Sequence, residues 1–232
     1  MRHGLTEWNI QQRYCGHSDI PLAAQGREQA LWIAEQLQQA SIVAIYASDL
    51  LRARETAEII ASRRTQVIQI KASAEWREMD FGAWEGLTYM QIVEQFKDHL
   101  AFFTDPEHHA PPHGESLFHL KRRVMDALSA MLHDNASPPG DIVIVSHGGP
   151  LRILLCSLLG MSLSRQWQLR LDPGSISAID LLPGSEILRC AQNDRPLRHN
   201  DPGTCHSERS EESEPRATLA LLNVQAPFSI RP

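Results

Sequence analysis

The 232-residue sequence has no run approaching the roughly 20 consecutive apolar residues that cross a bilayer, so a membrane-spanning helix is excluded as an expectation. It shows no basic leader followed by an apolar core and a small-residue cleavage site, and the expected compartment is the cytoplasm. Cysteine is scarce. Cys15, Cys156, Cys190 and Cys205 form no CxxC pair and no zinc-like spacing, which fits scattered reduced thiols and argues against a disulfide scaffold. Positive charge is also in deficit, with 22 Lys and Arg against 28 Asp and Glu. A net charge of -6 argues against non-specific nucleic-acid binding but leaves room for a local basic pocket that takes a small phosphorylated metabolite. Length and an ordinary 42% hydrophobic content are those of one large domain with a substantial core. A homodimer is compatible with these properties.

What is present begins at once with Arg2-His3-Gly4-Leu5-Thr6-Glu7-Trp8-Asn9. Gln11 to Pro21 is polar and reads as a loop carrying Arg13, Gly16 and Ser18. From Leu22 to Ala40 the apolar residues Ala30, Ile33, Ala34 and Leu37 recur at helical spacing. Ile42 to Ala47 is a continuous apolar run, as expected of a strand buried on both faces, and Ser48-Asp49 offer N-caps to a helix that holds Arg52 in its first turns. Val67 to Ile70 reads as a second strand. Glu75 to Gly86 follows neither period and reads as an ordered cleft loop. Thr88 to Leu100 reads as a helix, Thr104 to Gly114 as a loop, and the stripe Leu117, Leu120, Val124, Ala127, Leu128, Met131 as a long amphipathic helix. Asp141 to Ser146 is the clearest strand and ends at His147-Gly148-Gly149-Pro150, with Pro150 suited to a first helical turn. Ile176 to Leu182 and Thr218 to Leu222 read as hairpin partners. Strands alternating with helices predict an α/β fold.

Between those partners, Ser185 to Pro215 carries eleven charged residues among thirty-one and no aromatic, too little apolar surface to offset its ordering entropy. It reads as an insertion at a hairpin turn, within a single domain spanning 1–223 and followed by a tail at 224–232. ILRCAQND (187–194) and CHSERSEES (205–213) resemble translated copies of an interspersed bacterial DNA repeat, which implies a scar without function of its own.

Arg2-His3, Arg52 and His147 each fall at a strand end or loop, and Glu78 lies in the cleft-like loop. Ligands of open α/β sheets bind outside the carboxyl ends of strands. Taken alone each residue has a plain structural reading: a solvated terminus, a helix-surface arginine, a buried histidine bonded to backbone, or a surface ion pair contributing ~0 to 1 kcal/mol. Their joint occurrence points to phosphate chemistry. A neutral imidazole attacks phosphorus when cations neutralise the phosphoryl oxygens, and a buried carboxyl serves as the acid. His108, His109 and His113 lack an acidic or cysteine partner at metal-ligand spacing and read as loop residues.

Five segments in order, RHGLTEWN (2–9), SDLLRARETA (48–57), EMDFGAWEG (78–86), HGES (113–116) and VSHGG (145–149), resemble the histidine phosphatase superfamily, also called phosphoglycerate mutase-like. The resemblance implies a three-layer α/β/α sandwich around a mostly parallel sheet. It implies that His3 is the nucleophile, that Arg2, Arg52 and His147 surround the phosphoryl oxygens, and that Glu78 protonates the leaving oxygen. Asn9, Arg13, Gly16, His113 and Gly148 match further substrate-binding positions. The resemblance requires no metal and no cofactor. Two departures stand out: family members carry a β-branched strand before the Arg-His-Gly where this sequence has only Met1, so the first central strand is expected to be missing, and the 185–215 insertion is extra. The single short loop before HGES favours hydrolysis over mutase chemistry. Alternatives within the class are a broad-specificity phosphatase and a phosphoglycerate mutase-like phosphotransferase; a reading of another class is an inactive, truncated phosphate-binding remnant.

Overall fold

The computed structural model describes residues 1–134, 140–181 and 217–226. The proposed insertion at 185–215 and the tail beyond Ala226 lie outside the described residues. Strand β1 (Ile42–Ser48) is the hub of the fold, because its apolar run is covered on both faces and nearly every residue is buried. It pairs in parallel with β2 (Ile70–Ser73) through Ile45↔Ile70 and with β3 (Asp141–Val145) through Ile45↔Val143.

The other edge of β3 meets the start of the chain. Arg2 forms a parallel bridge with Ser146, the Ser146 N–H donates to the Met1 carbonyl at 3.1 Å, and the His3 N–H donates to the Ser146 carbonyl at 3.0 Å. On the far side of this stub the Arg2 N–H donates to the Ser175 carbonyl at 3.1 Å. Ser175 heads β4 (Ser175–Leu181), which runs antiparallel to β5 (Ala217–Gln225). The sheet layer therefore reads β2-β1-β3-stub-β4-β5. Where the first central strand was expected to be missing, residues 1–3 form a single bridge between β3 and β4 and no full strand.

Helices α2 (Ala24–Gln36) and α3 (Leu51–Ser62) cover one face; α5 (Leu117–Asp134) and α6 (Gly148–Leu158) cover the other. The period of two in β1 divides the core between them: Ile45 and Ala47 pack with Ile33, Ala53 and Ala57, while Ala44 and Tyr46 pack toward Leu120, Val124 and Leu151. This is the three-layer α/β/α sandwich. Short helices α1 (Glu7–Ile10) and α4 (Tyr89–Gln95) sit in the connections.

Several boundaries differ from the sequence expectation. β2 begins where the Val67–Ile70 strand was to end, because pairing with β1 starts at Ile70; Val67 stands fully exposed. The helix expected over 88–100 stops at Gln95, where Phe96 leaves helical geometry, and continues as a 3-10 segment, Lys97–Phe103. That break lets Phe96, Phe102 and Phe103 gather on Trp84, with Phe103 stacked at 5.1 Å. The N-cap of α3 is Leu50 rather than Ser48 or Asp49; the Leu51 N–H finds Asp19 at 2.6 Å, while Asp49 pairs with Arg77. Val224 and Gln225, assigned to the tail, complete β5.

Candidate active site

The carboxyl ends of four neighbouring strands deliver the site. The stub ends in His3, β3 leads into His147, β1 leads into α3 with Arg52, and β2 leads through a 3-10 turn into Glu78. The imidazoles of His3 and His147 lie 5.0 Å apart, both buried.

His3 Nδ1 donates to the carbonyl of Gly4 at 2.7 Å, which leaves Nε2 as the free lone-pair nitrogen. Burial, and then the charges of Arg52 and Arg2, hold its pKa well below the usual imidazole value, so the ring is neutral near pH 7. A glycine is needed next to it. A side chain at Gly4 would meet the Gly26 carbonyl at 2.3 Å, so the loop after His3 lies flush on α2.

Arg52 is 1% exposed and each of its nitrogens is used. Nη1 donates to the Ser18 carbonyl at 2.8 Å and Nη2 to the Gly16 carbonyl at 2.7 Å, tying down the loop that the sequence marks as ligand-facing. Nε donates to His147 Nδ1 at 3.2 Å. Because that nitrogen accepts, the proton of the neutral His147 ring sits on Nε2, and this buried N–H has no partner among the described residues. Burial first and Arg52 second depress the His147 pKa as well. Arg2 donates from Nη1 to the Leu171 carbonyl at 2.7 Å, while its Nε is likewise buried without a partner. Desolvation lowers its pKa to about 10, partly offset by Glu78, and the guanidinium stays charged at neutral pH. Two orphaned donors around a free imidazole nitrogen form an anion site in waiting, since a buried unpaired N–H costs about 1–3 kcal/mol until something accepts from it.

Glu78 spans the opening of α6. His147 is the N-cap of that helix, and the Gly149 N–H donates to Glu78 Oε1 at 3.0 Å and to Oε2 at 3.2 Å. The Met79 N–H adds a further bond to Oε1 at 2.9 Å. A side chain at Gly149 would lie 2.3 Å from Oε1, so only glycine admits the carboxylate there. At Gly148 an added Cβ would meet Arg152 Nη1 at 2.9 Å, with Glu78 Oε2 and the Arg2 guanidinium less than 4 Å away. Gly148 thus marks where the two arginines and the carboxylate converge.

The remaining expected residues are engaged in local contacts. Asn9 accepts from the Thr6 N–H and Oγ1 in the capping box of α1. Arg13 binds Gln11 and the Gly86 carbonyl, linking the first loop to the acid loop. His113 is exposed at a positive φ of 60°, with its backbone packed on Gly82. His108 pairs with Asp105 at the surface.

Sequence reasoning missed three supports. Arg152, one turn into α6, sits above Gly148 and over the Trp167 ring at 5.3 Å. Arg123 donates to the carbonyls of Glu75, Arg77 and Glu78 and forks onto Glu115 at 2.7 and 3.1 Å, which fixes the acid loop to α5. Glu85 accepts from the backbone N–H groups of His17 and Ser18 and joins the two loops. Glu115 lies within HGES, where His113 drew the attention; Arg152 was findable as the basic residue one turn past Gly148.

A neutral imidazole with a free ring nitrogen, guanidiniums and a carboxylate at parallel strand ends define the class, an enzyme of phosphate-ester chemistry. Residues 1–194 match the Histidine phosphatase superfamily (branch 1), and the chain belongs to that superfamily. It is 35% identical over 185 residues to the adenosylcobalamin/alpha-ribazole phosphatase of Escherichia coli (strain K12), covering 78% of this chain and 88% of that one. It is 36% identical over 182 residues to a protein of Salmonella choleraesuis named probable phosphoglycerate mutase GpmB, covering 78% and 82%. Among solved structures, the alpha-ribazole phosphatase from Shigella flexneri superimposes with a TM-score of 0.76 at 28% identity, over 97% of this chain and 94% of that one. The chain is a phosphatase-type hydrolase with relatives that act on small phosphorylated molecules. Among the described residues no helix is long and apolar enough to cross a membrane.

Proposed function

We propose that the protein is a phosphomonoesterase that works through a phosphohistidine at His3, with α-ribazole 5'-phosphate, an intermediate of cobalamin assembly, as its substrate. The observation that carries the mechanism is the pairing of a free His3 Nε2 with the unpartnered His147 Nε2–H and Arg2 Nε. A phosphoryl oxygen accepting from those donors sets phosphorus against the lone pair. In the first step the His3 Nε2–P bond forms, the P–O ester bond breaks, and Glu78 in its protonated form gives its proton to the leaving oxygen. In the second, water attacks phosphorus, the N–P bond breaks, and Glu78 takes back a proton. Arg52 and Arg2 counter the charge on the phosphoryl group, the role that positioned cations play in such transfers. Gly16, Arg13, Asn9, His113 and Gly148 line the approach to this centre in the same reading. The working unit is one domain over 1–223, interrupted at 185–215.

The substrate assignment is supported by the names of the relatives and by the short segment between the acid loop and HGES, which leaves the intermediate open to water. Steady-state kinetics on α-ribazole 5'-phosphate, 3-phosphoglycerate and sugar phosphates test it, with EDTA present and with His3→Ala as the blank. The expected result is highest kcat/KM for α-ribazole 5'-phosphate. The relative named as a phosphoglycerate mutase supports the runner-up, a mutase-like phosphotransferase, and conversion of 3-phosphoglycerate to its 2-isomer would install it instead. Wild-type turnover equal to the His3→Ala blank on every ester would leave the inactive, phosphate-binding remnant.

A further inference from the structure

Arg152 brings to the acid side of the site a group that capture of the phosphoryl oxygens does not use. It is half-buried one turn into α6, and its Nε donates to the Leu169 carbonyl at 3.0 Å. Arg2 donates to the Leu171 carbonyl, two residues along the same strip, so one stretch of backbone holds both guanidiniums. Arg152 Nη1 lies 2.9 Å from where a Cβ on Gly148 would stand, and Glu78 Oε2 lies 3.6 Å from that same point. The terminal nitrogens of Arg152 bond to no acceptor among the described residues, which leaves a free donor fork beside the acid. Whatever is attached to an oxygen protonated by Glu78 passes that fork.

Trp167 supplies the other half. It belongs to the 3-10 segment Leu163–Gln168 that follows α6, where Gln166 and Leu169 are buried and the Leu169 N–H donates to the Gln166 carbonyl at 3.1 Å. Two buried anchors so close together turn Trp167 outward, and it is 62% exposed. The Arg152 guanidinium stands over its ring at 5.3 Å, within cation–π range, so a flat apolar face is fixed beside a planar cation. Single exposed apolar side chains are ordinary on a protein surface. This one is tied to the residue that flanks the acid.

The charges decide which leaving group such a pair takes. Burial lowers the Arg152 pKa, and the carboxylates of Glu78 and Asp172 push it the other way, so the cation already faces two acids. A carboxylate or second phosphate on the leaving group would meet those same acids and leave Trp167 unused. A neutral sugar carrying an aromatic base avoids both: its hydroxyls accept from the fork, and its base stacks on a guanidinium or indole plane.

Given hydrolysis of a ribosyl phosphate at His3, we propose that Arg152 and Trp167 form the leaving-group subsite and select a riboside 5'-phosphate with a neutral aromatic base. The ribose lies along the fork beside Glu78, and the base covers the Trp167–Arg152 stack. Arg52 and Arg2 hold the phosphoryl group; Arg152 and Trp167 determine what it is attached to.

Binding is measured apart from turnover. Calorimetry on the full chain carrying His3→Ala compares α-ribazole 5'-phosphate, ribose 5-phosphate and 3-phosphoglycerate, with Trp167→Ala, Trp167→Phe or Arg152→Met added in turn and thermal melts as the check on folding. α-Ribazole 5'-phosphate is expected to bind at least about tenfold more tightly than ribose 5-phosphate, and Trp167→Ala to shrink that ratio at least about fivefold, the loss of one base–aromatic stack. Trp167→Phe is expected to keep most of the ratio, and Arg152→Met to weaken both ribosyl esters. A ratio near one in the parent chain, or a ratio unchanged by Trp167→Ala, overturns the subsite. So does 3-phosphoglycerate as the tightest ligand, weakened by Arg152→Met but not by Trp167→Ala, since that marks a place for an anionic leaving group. Subsite and hydrolysis fail separately. Preserved ratios beside a wild-type chain that turns over no ester would retire the phosphohistidine mechanism and keep the subsite; rapid hydrolysis of all three esters with a ratio near one would do the reverse.

Discussion

Replacing Arg52 separates geometry from charge at the centre of the site. The guanidinium serves three acceptors at once, His147 Nδ1, the Ser18 carbonyl and the Gly16 carbonyl, at 3.2, 2.8 and 2.7 Å. Arg52→Lys keeps the charge but cannot reproduce the fork, and a single ammonium on a flexible stem satisfies at best one of the three. Two lost charge-assisted bonds at about 1.5–3 kcal/mol each come to roughly 3–6 kcal/mol, divided between fold stability and the reaction barrier. If half falls on the barrier, kcat/KM drops by about ten- to 150-fold. Arg52→Gln removes the charge as well. Arg52 is the second-largest cause, after burial, of the depressed pKa of both His3 and His147, so in this variant the acid limb of the pH–rate profile moves up while in Arg52→Lys it stays. The assay is kcat/KM on an aryl phosphate from pH 4.5 to 8, alongside thermal melts. Arg52→Lys within threefold of wild type, or an acid limb unmoved in Arg52→Gln, would refute this account of Arg52.

Further outcomes follow from the same geometry. The wild-type rate is expected to stay flat as pH falls through 6.5, since the nucleophile is the neutral form of a histidine whose folded pKa lies well below that value; an acid limb at 6.5 on kcat/KM would contradict it. Arg123→Met leaves a largely buried Glu115 carboxylate and three loop carbonyls without their donor, and is expected to cost about 3–5 kcal/mol in urea melts. Gly149→Ala should instead spare the melting temperature and lower kcat by at least about tenfold, by expelling Glu78 from the α6 terminus.

The parts of the site that were legible in the sequence are those where local pattern and chemistry coincide. His147 closes an apolar strand and opens a helix through Gly-Gly-Pro, and Arg52 follows the β1 run, so both addresses could be read from periodicity. The supports were less legible, because they depend on bonds between side chains and distant backbone: Arg123 reaches carbonyls some 45 residues away, and Asp19 rather than Ser48 or Asp49 finishes α3. The break at Phe96 was hidden for a similar reason. Thr88 and Gln91 start a regular helix with a capping box, and only the aromatic cluster on Trp84 ends it early. Likewise, residues 1–3 look too few to be a strand until Ser146 and Ser175 are seen to hold them from both sides.

The central claim is that His3 carries the phosphoryl group. Rapid mixing with substrate, a denaturing quench and mass spectrometry of peptides kept at alkaline pH examine it directly. The account predicts one acid-labile phosphoryl group on the peptide containing His3, formed before steady state and absent from His3→Ala. Full turnover with no phosphorylated His3 at any time, or turnover surviving in His3→Ala, would contradict it.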